Sequence, residues 1–491
     1  MIDSISPEVL FTLELLVYLF ILIVGSTILG IIILYFYDKT QKNSTLRRNY
    51  PVIARFRYIF EHAGEFLRQY LFAQDREELP FNRAQRSWCY RASKNVDSTV
   101  AFGSSKNIHA PGALHFISSL FPVLSQDSKK LSEIIIGPYA GKPYKTNSVI
   151  NISGMSYGAI SVPAVRALSK GAKAAGIWLN TGEGGLSPYH LEGGCDLIYQ
   201  IGTAKFGVRN LLGGFDDEKL KEVAAHEQVK MFEIKLSQGA KPGKGGILPA
   251  VKVTEEIAKI RGIEEGKDAI SPNRHPELNS LDDILDMIAH VRTITHKPVG
   301  FKTVIGTYWI DELCAKIHER GVESAPDFIT IDSCEGGTGA APMSLIDNMG
   351  VPISESLPKV VNILNKHNLK DRIKIIASGK LINPPEVAWA LCAGADFVVT
   401  ARGFMLALGC IQALQCNKNT CPTGITTHKK KLQYGLDPDE KSVRVANFAQ
   451  NMVKELSVMA HSCGVESPRE FNRDHVLVVG FDGKGAKMNH S

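Results

Sequence analysis

Apolar positions near the N-terminus form one unbroken stretch, whereas later they alternate in short runs. Leu15 to Tyr37 is apolar apart from small or weakly polar residues such as Gly25 and Thr27. At 1.5 Å per residue, about 23 residues can cross a hydrocarbon core about 30 Å thick. Acidic residues precede the stretch, and a basic segment from Asp38 to Arg57 follows it. The positive-inside bias predicts a single-pass helix of the inner or cytoplasmic membrane, with the remainder in the cytoplasm. A buried core helix is the alternative.

The segment after this stretch has helical amphipathic spacing. Apolar residues recur through Val52–Phe72, with arginines between them, as in a helix that has one apolar face. Such a helix could lie on an anionic membrane surface or pack on the following domain. The composition then divides the chain into a short extracytoplasmic N-terminus (1–14), the span (15–37), a basic juxtamembrane linker with this helix (38–72), a lead-in (73–146), a main domain (147–430), and a C-terminal helix with a tail (431–491).

From residue 147 onward, short β-rich runs alternate with helical segments. Eight strands are predicted at Ser148–Ser153, Ile177–Asn180, Ile198–Gly202, Met231–Lys235, Val299–Val304, Phe328–Asp332, Ile373–Ala377 and Phe397–Thr400. Helix-period segments between them include Ser161–Ala175, Lys252–Arg261, Leu281–Val291 and Glu355–Lys366. This alternation predicts a parallel (β/α)8 barrel, in the α/β class, with its chemistry on the loops after the strands.

Three of the nine cysteines cluster after the last predicted strand. Cys410, Cys416 and Cys421 have the spacing C-x5-C-x4-C, which lacks the paired C-x2-C hooks of a zinc ribbon. Three thiolates on one loop suit an iron–sulfur cluster, although three unrelated buried thiols remain the alternative.

The overall charge is a weak guide to partners. The net charge is +6, but the segment from Asp38 to Arg57 alone holds six basic residues and one acid. Because the excess is local, no extended nucleic-acid-binding face is indicated. The hydrophobic content of 44% is ordinary for a folded globular protein.

Several glycine-rich loops resemble, in order, those of the FMN-binding glutamate synthase family. The motifs are Met155-Ser-Tyr-Gly158, Asn180-Thr-Gly-Glu-Gly-Gly185, Gln238-Gly-Ala-Lys-Pro-Gly243, Gly336-Gly-Thr-Gly-Ala-Ala-Pro342, and the cysteine loop ending in Cys421-Pro-Thr-Gly424. The similarity extends over roughly residues 80–470. It implies an FMN-containing barrel with a [3Fe–4S] cluster on Cys410, Cys416 and Cys421. The implied reaction is reductive amination of 2-oxoglutarate with ammonia, in which reduced FMN gives hydride to 2-iminoglutarate and L-glutamate is formed.

The resemblance also implies which residues contact the cofactor. Lys302 or Lys235 would stabilise the charge of reduced flavin, unless Lys302 forms a structural salt bridge with an inward acid. Loops after the last two strands would hold the phosphate. The expected cofactor-binding set is Met155, Ser156, Tyr157, Gly158, Lys235, Lys302, Gly336, Gly337, Thr338, Gly379, Lys380, Ala401 and Arg402.

Substrate residues follow from the same resemblance. Lys241 and Arg261 match family cations that bind 2-oxoglutarate, and Lys241 is also a candidate proton donor. Ser280 and Asp282 align with further substrate-side positions, while Glu183 would orient ammonia or relay a proton. Arg261 could instead be an ordinary helix-end cation.

Departures from the family pattern leave the identity of the substrate open. Ile247 stands where the family has a glutamine that contacts the 2-oxo acid, and the turn Ser271–Pro276 also differs. No glutaminase domain or nicotinamide-binding fingerprint is expected, so ammonia would come from solution or a separate amidotransferase, and electrons from an external donor or reductase subunit. The rival hypotheses are flavin chemistry on another 2-oxo acid, 2-hydroxy acid or amine, an electron-transfer subunit of a membrane complex, and a barrel without flavin.

Overall fold

The computed structural model describes residues 6–306 and 309–488, without the side chain of Glu65. The chain divides into two compact units, Met1–Arg83 and Ala84–Ser491. Residues 1–5 of the predicted N-terminal segment and 489–491 of the predicted tail lie outside the described residues. The six-part division remains a prediction.

The first unit contains three helices: α1 (Pro7–Thr40), α2 (Thr45–Asn49) and α3 (Ile53–Leu71). α1 extends the predicted apolar stretch at both ends, because Ser6 caps its start and Pro7 occupies the first turn, where proline is tolerated. α1 is long and apolar enough to cross a membrane, and its most apolar window is unburied. The amphipathic helix predicted over Val52–Phe72 is confirmed as α3.

A buried aspartate fixes the connection between α1 and α3. Asp38 is fully buried and accepts hydrogen bonds from Arg55 Nη2 (2.7 Å), Arg55 Nε (2.8 Å) and the backbone N–H of Val52 (3.1 Å). Val52 has φ +64°, a conformation that β-branched residues rarely adopt. The chain therefore turns sharply after α1 and re-enters a helix at a defined point.

The second unit begins with α4 (Arg83–Ser93) and three short strands, β1 (Leu114–Phe116), β2 (Ile134–Ile136) and β3 (Tyr144–Thr146). The strands that follow are β4 (Ile150–Ile152), β5 (Leu179–Asn180), β6 (Leu197–Ile201), β7 (Val229–Lys235), β8 (Ile247–Leu248), β9 (Ala269–Ile270), β10 (Val299–Val304), β11 (Phe328–Asp332), β12 (Lys374–Ser378) and β13 (Phe397–Thr400). All of these except β8 and β9 form a closed parallel barrel, in which β13 pairs with β4. The predicted barrel and its eight strands are confirmed.

Helices surround the barrel, and several of them begin at a polar side-chain cap. They are α5 (Val162–Ala175), α6 (Pro188–Glu192), α7 (Asp217–Ala225), α8 (Glu255–Arg261), α9 (Leu281–Thr295), α10 (Trp309–Arg320), α11 (Met343–Asn348), α12 (Ile353–Lys366), α13 (Pro384–Cys392), α14 (Arg402–Leu408), α15 (Lys430–Gln433) and α16 (Pro438–Ser462). The helix predicted over Lys252–Arg261 is wrong at its start. Thr254 caps α8 by accepting from the N–H of Ile257, and Lys252 lies in a separate 3₁₀ turn.

The N-terminal end of the barrel is filled by apolar side chains. β2 and β3 form an antiparallel pair, from which Ile136 and Tyr144 pack against Trp178, Phe328 and other residues at the starts of the barrel strands. β8 and β9 pair in an insertion between β7 and α9. After α16, β14 (Val476–Val479) pairs with β1 and with β15 (Gly485–Lys487). With one end of the barrel closed by packing, chemistry is left to the other end.

Candidate functional site

A buried carboxylate organises the polar interior near the C-terminal ends of the strands. Glu233 on β7 is 2% exposed and accepts hydrogen bonds from Asn180 Nδ2 (2.8 Å), Gln200 Nε2 (2.6 Å) and Thr330 Oγ1 (2.5 Å). These donors come from three other strands, so the network stabilises a carboxylate that burial alone would destabilise. Sequence reasoning missed Glu233. Its signal was a charged residue between apolar neighbours, Phe232 and Ile234, in a buried strand.

Lys302 lies in the same interior and forms a buried ion pair. Its Nζ is 3.2 Å from Asp332 Oδ2, and Asp332 also accepts from the N–H of Gly239 and from Ser378 Oγ, both at 2.9 Å. Burial alone would lower the pKa of Lys302, but Asp332 and Glu233 raise it. The salt bridge considered as the structural alternative is therefore present, and a role of this charged lysine toward a cofactor stays a prediction.

Glu183 and Lys235 form a second ion pair at the mouth of the barrel. Glu183 Oε1 lies 2.7 Å from Lys235 Nζ, which also donates to Gln238 Oε1. Burial would raise the pKa of Glu183, but Lys235 lowers it, with further contributions from Lys241 and Arg261. A Cβ at Gly246 would collide with the Glu183 carboxylate. This glycine therefore makes room for an ionised acid beside three cations.

Lys241 and Arg261 are buried cations whose charge is not neutralised by a direct partner. In the described part of the chain, neither forms an ion pair with a carboxylate. Lys241 Nζ donates to the carbonyl of Ala340 at 2.8 Å. Burial and the nearby Lys235 lower its pKa to about 8, and burial lowers the pKa of Arg261 to about 10. Such an arrangement favours an anionic ligand, because burying an uncompensated cation is costly.

The loop Met155–Gly158 after β4 is held by Arg261. Arg261 Nη2 donates to Ser156 Oγ and to the carbonyl of Tyr157, each at 3.2 Å, while its buried Nε has no partner among the described residues. Arg261 is thus directed inward from the end of α8, which argues against an ordinary helix-end cation. The phenol of Tyr157 donates to Glu256 at 2.6 Å.

The loops after β12 and β13 bring two cations near a buried hydroxyl. Gly379 has φ +143°, and a Cβ there would collide with Ser333 Oγ, a buried hydroxyl that has no hydrogen-bond partner in the part of the chain that the structure describes. The pKa of Lys380 is lowered by burial and by the nearby charge of Arg402. Two like charges held close together beside an unsatisfied hydroxyl favour a dianion such as a phosphate. Ala401 is the residue before α14.

The glycine loop after β11 packs between these two regions. A Cβ at Gly337 would lie 2.8 Å from Arg402 Nε, and one at Gly336 would lie 3.0 Å from Asp332 Oδ1. Thr338 Oγ1 donates to the Ala340 carbonyl at 3.3 Å, which is the same oxygen that Lys241 contacts. The absence of side chains at these glycines permits the close approach of the loop.

The three clustered cysteines share one buried region. Burial, with smaller contributions from the neighbouring Cys416 and Cys421, raises the pKa of Cys410 to about 12. Burial raises the pKa of Cys416 as well. Burial would raise the pKa of Cys421, but hydrogen bonds from Thr423, whose hydroxyl lies 3.4 Å from Sγ, and from Thr426 together lower it. Among residues 6–306 and 309–488, no three His, Cys, Asp or Glu side chains are arranged to hold a single metal ion.

Two predicted substrate residues, Ser280 and Asp282, contact residues outside the group formed by Glu183, Lys241 and Arg261. Ser280 caps α9 and accepts from the N–H of Asp283, whereas Asp282 lies 3.3 Å from Arg320 on α10. His275, in the variant turn, is buried, and its Nε2 lies 3.1 Å from the carbonyl of Lys235. Burial lowers the pKa of His275 to about 4, so it is neutral near pH 7. The structure brings together Glu183, Lys241 and Arg261, but it shows no contact of Ser280 or Asp282 with them.

Comparisons with known proteins identify the family of this chain. The family model described as "Conserved region in glutamate synthase" matches residues 112–466. The glutamate synthase large subunit-like protein YerD of Bacillus subtilis is 40% identical over 92% of this chain and 93% of its own length. The archaeal glutamate synthase [NADPH] of Methanocaldococcus jannaschii is 34% identical over 73% of this chain and 68% of its own length.

Two solved structures illustrate the similarity to known structures, at low sequence identity. Mandelate oxidase with 3,3-difluoro-2-hydroxy-3-phenylpropionic acid gives a TM-score of 0.46 at 15% identity, covering 80% of this chain and 99% of that chain. The recombinant flavin-binding domain of baker's yeast flavocytochrome b2 gives 0.46 at 15% identity, covering 90% and 92%. The family assignment depends on the sequence matches, which span most of the barrel unit and include its site loops. The chain is a member of the glutamate synthase family of oxidoreductases.

Proposed function

We propose that this protein is a membrane-anchored FMN and iron–sulfur oxidoreductase that reduces 2-iminoglutarate, formed from 2-oxoglutarate and ammonia, to L-glutamate. The choice of substrate is based mainly on the pair of buried cations, Lys241 and Arg261, which lie close to the ionised Glu183. A dicarboxylate would supply the negative charge that these cations lack.

The chain's own residues account for binding and proton transfer. Arg261 would hold one carboxylate with its guanidinium, and Lys241 Nζ would hold the other end of the substrate. With a pKa of about 8, Lys241 can also give up a proton near neutral pH. Glu183 remains ionised beside Lys235 and would accept hydrogen bonds from ammonium or from the imine nitrogen. The glycine-rich loops would limit the access of water.

The residues present fit FMN. Ser333 Oγ, Lys380 and Arg402 would hold the phosphate. The Ser333 hydroxyl, which is buried and has no partner within residues 6–306 and 309–488, and the adjacent cations support this role. Bound FMN would supply the hydride. Lys302 would present a fixed positive charge to the flavin ring, maintained by Asp332.

The donor set also suits a [3Fe–4S] cluster. Cys410, Cys416 and Cys421 supply three soft ligands on one loop. The finding that they do not converge on a single ion is compatible with a cluster, because its irons separate the ligand sulfurs. The cluster would supply single electrons taken from an external donor or reductase subunit. Ammonia would come from solution or from a separate amidotransferase.

The first unit would attach the protein to the membrane. α1 is about 51 Å long at 1.5 Å per residue, more than a hydrocarbon core of about 30 Å requires. Its exposed large side chains are apolar along its length. Basic residues after the span would place the catalytic unit at the cytoplasmic side of the inner or cytoplasmic membrane. α3 exposes Phe56, Ile59 and Phe60 on one face, and this face would lie in the headgroup region.

The reaction can be tested with the full chain, purified in detergent without oxygen and chemically reduced. We expect reoxidation only when 2-oxoglutarate and ammonium are both present, with L-glutamate as the product. Arg261→Met should weaken 2-oxoglutarate binding about 10–100-fold, since a hydrogen bond to a charged group contributes about 1.5–3 kcal/mol. Lys259→Met, which changes an exposed lysine of the same helix, is the matched control. Reoxidation without ammonium, or by pyruvate equally well, would contradict the proposed substrate.

A further inference from the structure

Lys252 is a buried cation outside the substrate group. It is 2% exposed and lies in the 3₁₀ turn Ala250–Lys252. Its Nζ donates to the carbonyl of Ala159 at 2.6 Å and to that of Cys416 at 3.4 Å. Within the described residues it forms no ion pair with a carboxylate. A buried ammonium that contacts only carbonyl dipoles lacks the counter-charge that would compensate for its loss of hydration.

The groups near Lys252 indicate where that counter-charge belongs. Cys416 and Cys421 are the groups able to act on it as anions, whereas Arg261 acts with the same sign. Two of the three clustered cysteines therefore face a cation that no acid neutralises. Thiolate ligands, or a cluster carrying their negative charge, would complete the pairing.

The same region ties three loops together. Asn419, in the cysteine loop, donates from Nδ2 to the carbonyl of Val251 at 3.1 Å. His428 Nε2 lies 2.8 Å from the carbonyl of Gly158. Lys252 therefore sits where the cysteine loop meets the carbonyl of Ala159, one residue after the loop Met155–Gly158. A charge at this point acts on the cysteines, and it lies next to the loop Met155–Gly158, which is expected to bind the flavin.

We propose that Lys252 is the charge partner of the iron–sulfur cluster and a positioning residue for the cysteine loop. Its ammonium stabilises the more negative, reduced cluster over the oxidised one and thereby raises the reduction potential. The electron comes from the external donor and is held on the cluster without a change in the covalent bonds of Lys252. This inference rests on the cluster assigned under the proposed function.

Two variants separate charge from hydrogen bonding. Lys252→Gln retains an N–H donor but removes the charge, and Lys252→Arg retains the charge. Lys259→Gln removes an exposed lysine seven residues later and serves as the control. The full chain of each protein is purified without oxygen, and its iron and sulfide contents are measured. The cluster is then titrated electrochemically while absorbance and electron paramagnetic resonance are recorded.

We expect Lys252→Gln to disfavour one-electron reduction by about tenfold or more, which lowers the midpoint potential by about 59 mV or more for a one-electron couple. Lys252→Arg and the control should keep the wild-type potential. Loss of cluster iron in Lys252→Gln, with retention in Lys252→Arg, would equally support a need for charge. An unchanged potential in Lys252→Gln would overturn the proposal, as would loss of the cluster from both Lys252 variants.

The outcome distinguishes this inference from the proposed function. A wild-type protein without a cluster overturns both. A cluster whose potential depends on the charge of Lys252, in a protein that forms no glutamate, supports this inference and refutes only the proposed substrate. Glutamate formation with a potential independent of Lys252 refutes only this inference.

Discussion

Replacing Lys302 by methionine should destabilise the barrel unit strongly. The change leaves Asp332 buried with two donors, Gly239 N–H and Ser378 Oγ, but without its ammonium partner. At the observed 3.2 Å and an effective dielectric constant of about 20, the lost attraction is about 5 kcal/mol. Breaking a buried pair on one side costs about 3–5 kcal/mol. Because two donors remain, we expect the free energy of unfolding to fall by about 3 kcal/mol.

Urea unfolding of the full chain in detergent, followed by tryptophan fluorescence, measures this loss. The four tryptophans all lie within Ala84–Ser491, so the signal reports that unit. Lys316→Met is the control, since Lys316 is 39% exposed and pairs with Glu319 at the surface, where a pair contributes about 0–1 kcal/mol.

The double variant tests the pairing directly. Adding Asp332→Asn to Lys302→Met should recover part of the loss, because the carboxylate left without its partner is gone. Asp332 and Glu233 raise the pKa of Lys302 above its usual 10.5. The stabilisation is therefore complete below pH 10.5 and is lost only as the pH rises through the higher folded-state pKa. A loss below about 1 kcal/mol for Lys302→Met, or additive effects in the double variant, would refute the reasoning.

Three other results follow from the site and the first unit. Lys241, with a pKa of about 8, should lose its charge as the pH rises from about 7 to about 9, so calorimetry should show that 2-oxoglutarate binding weakens about tenfold. Lys241→Arg should remove this pH dependence, and wild-type binding that does not change with pH would contradict the prediction. Arg402→Met should weaken FMN binding about 10–100-fold, as measured from released flavin fluorescence, whereas the surface change Arg444→Met should leave FMN binding unchanged. Hydrogen exchange of the α3 backbone should be slower when the protein is in vesicles of anionic lipid than when it is in detergent, and Phe60→Asp should abolish this difference. Equal exchange rates in both environments would show that α3 does not contact lipid.

The elements that depend on local patterns could be predicted from the sequence. Apolar runs bounded by glycine and polar residues located the eight strands, because a strand buried on both faces needs a continuous apolar segment. The amphipathic spacing of Val52–Phe72 located α3 in the same way. The start of α8 was misplaced because Lys252 lies in a separate 3₁₀ turn, and the backbone begins the helix only at the Thr254 cap.

The site loops were also recognisable, since glycines mark positions where side chains cannot fit. The interaction partners of the charged side chains at the site could not be predicted from the sequence. The inward acid for Lys302 was expected, but only the structure identifies it as Asp332 on the adjacent strand. Glu233 was missed because its donors Asn180, Gln200 and Thr330 come from separate strands.

Local patterns in the amino-acid sequence were enough to locate most strands and helices, the barrel class, the order of the site loops and the resemblance to a family. Which charged side chains meet depends on the tertiary fold. Closure of the barrel brings Glu183 to Lys235 from well separated parts of the chain and sets Lys252 beside Cys416. The physical reason is that strand formation depends on neighbouring residues, whereas an ion pair depends on the distance between side chains that the sequence places far apart.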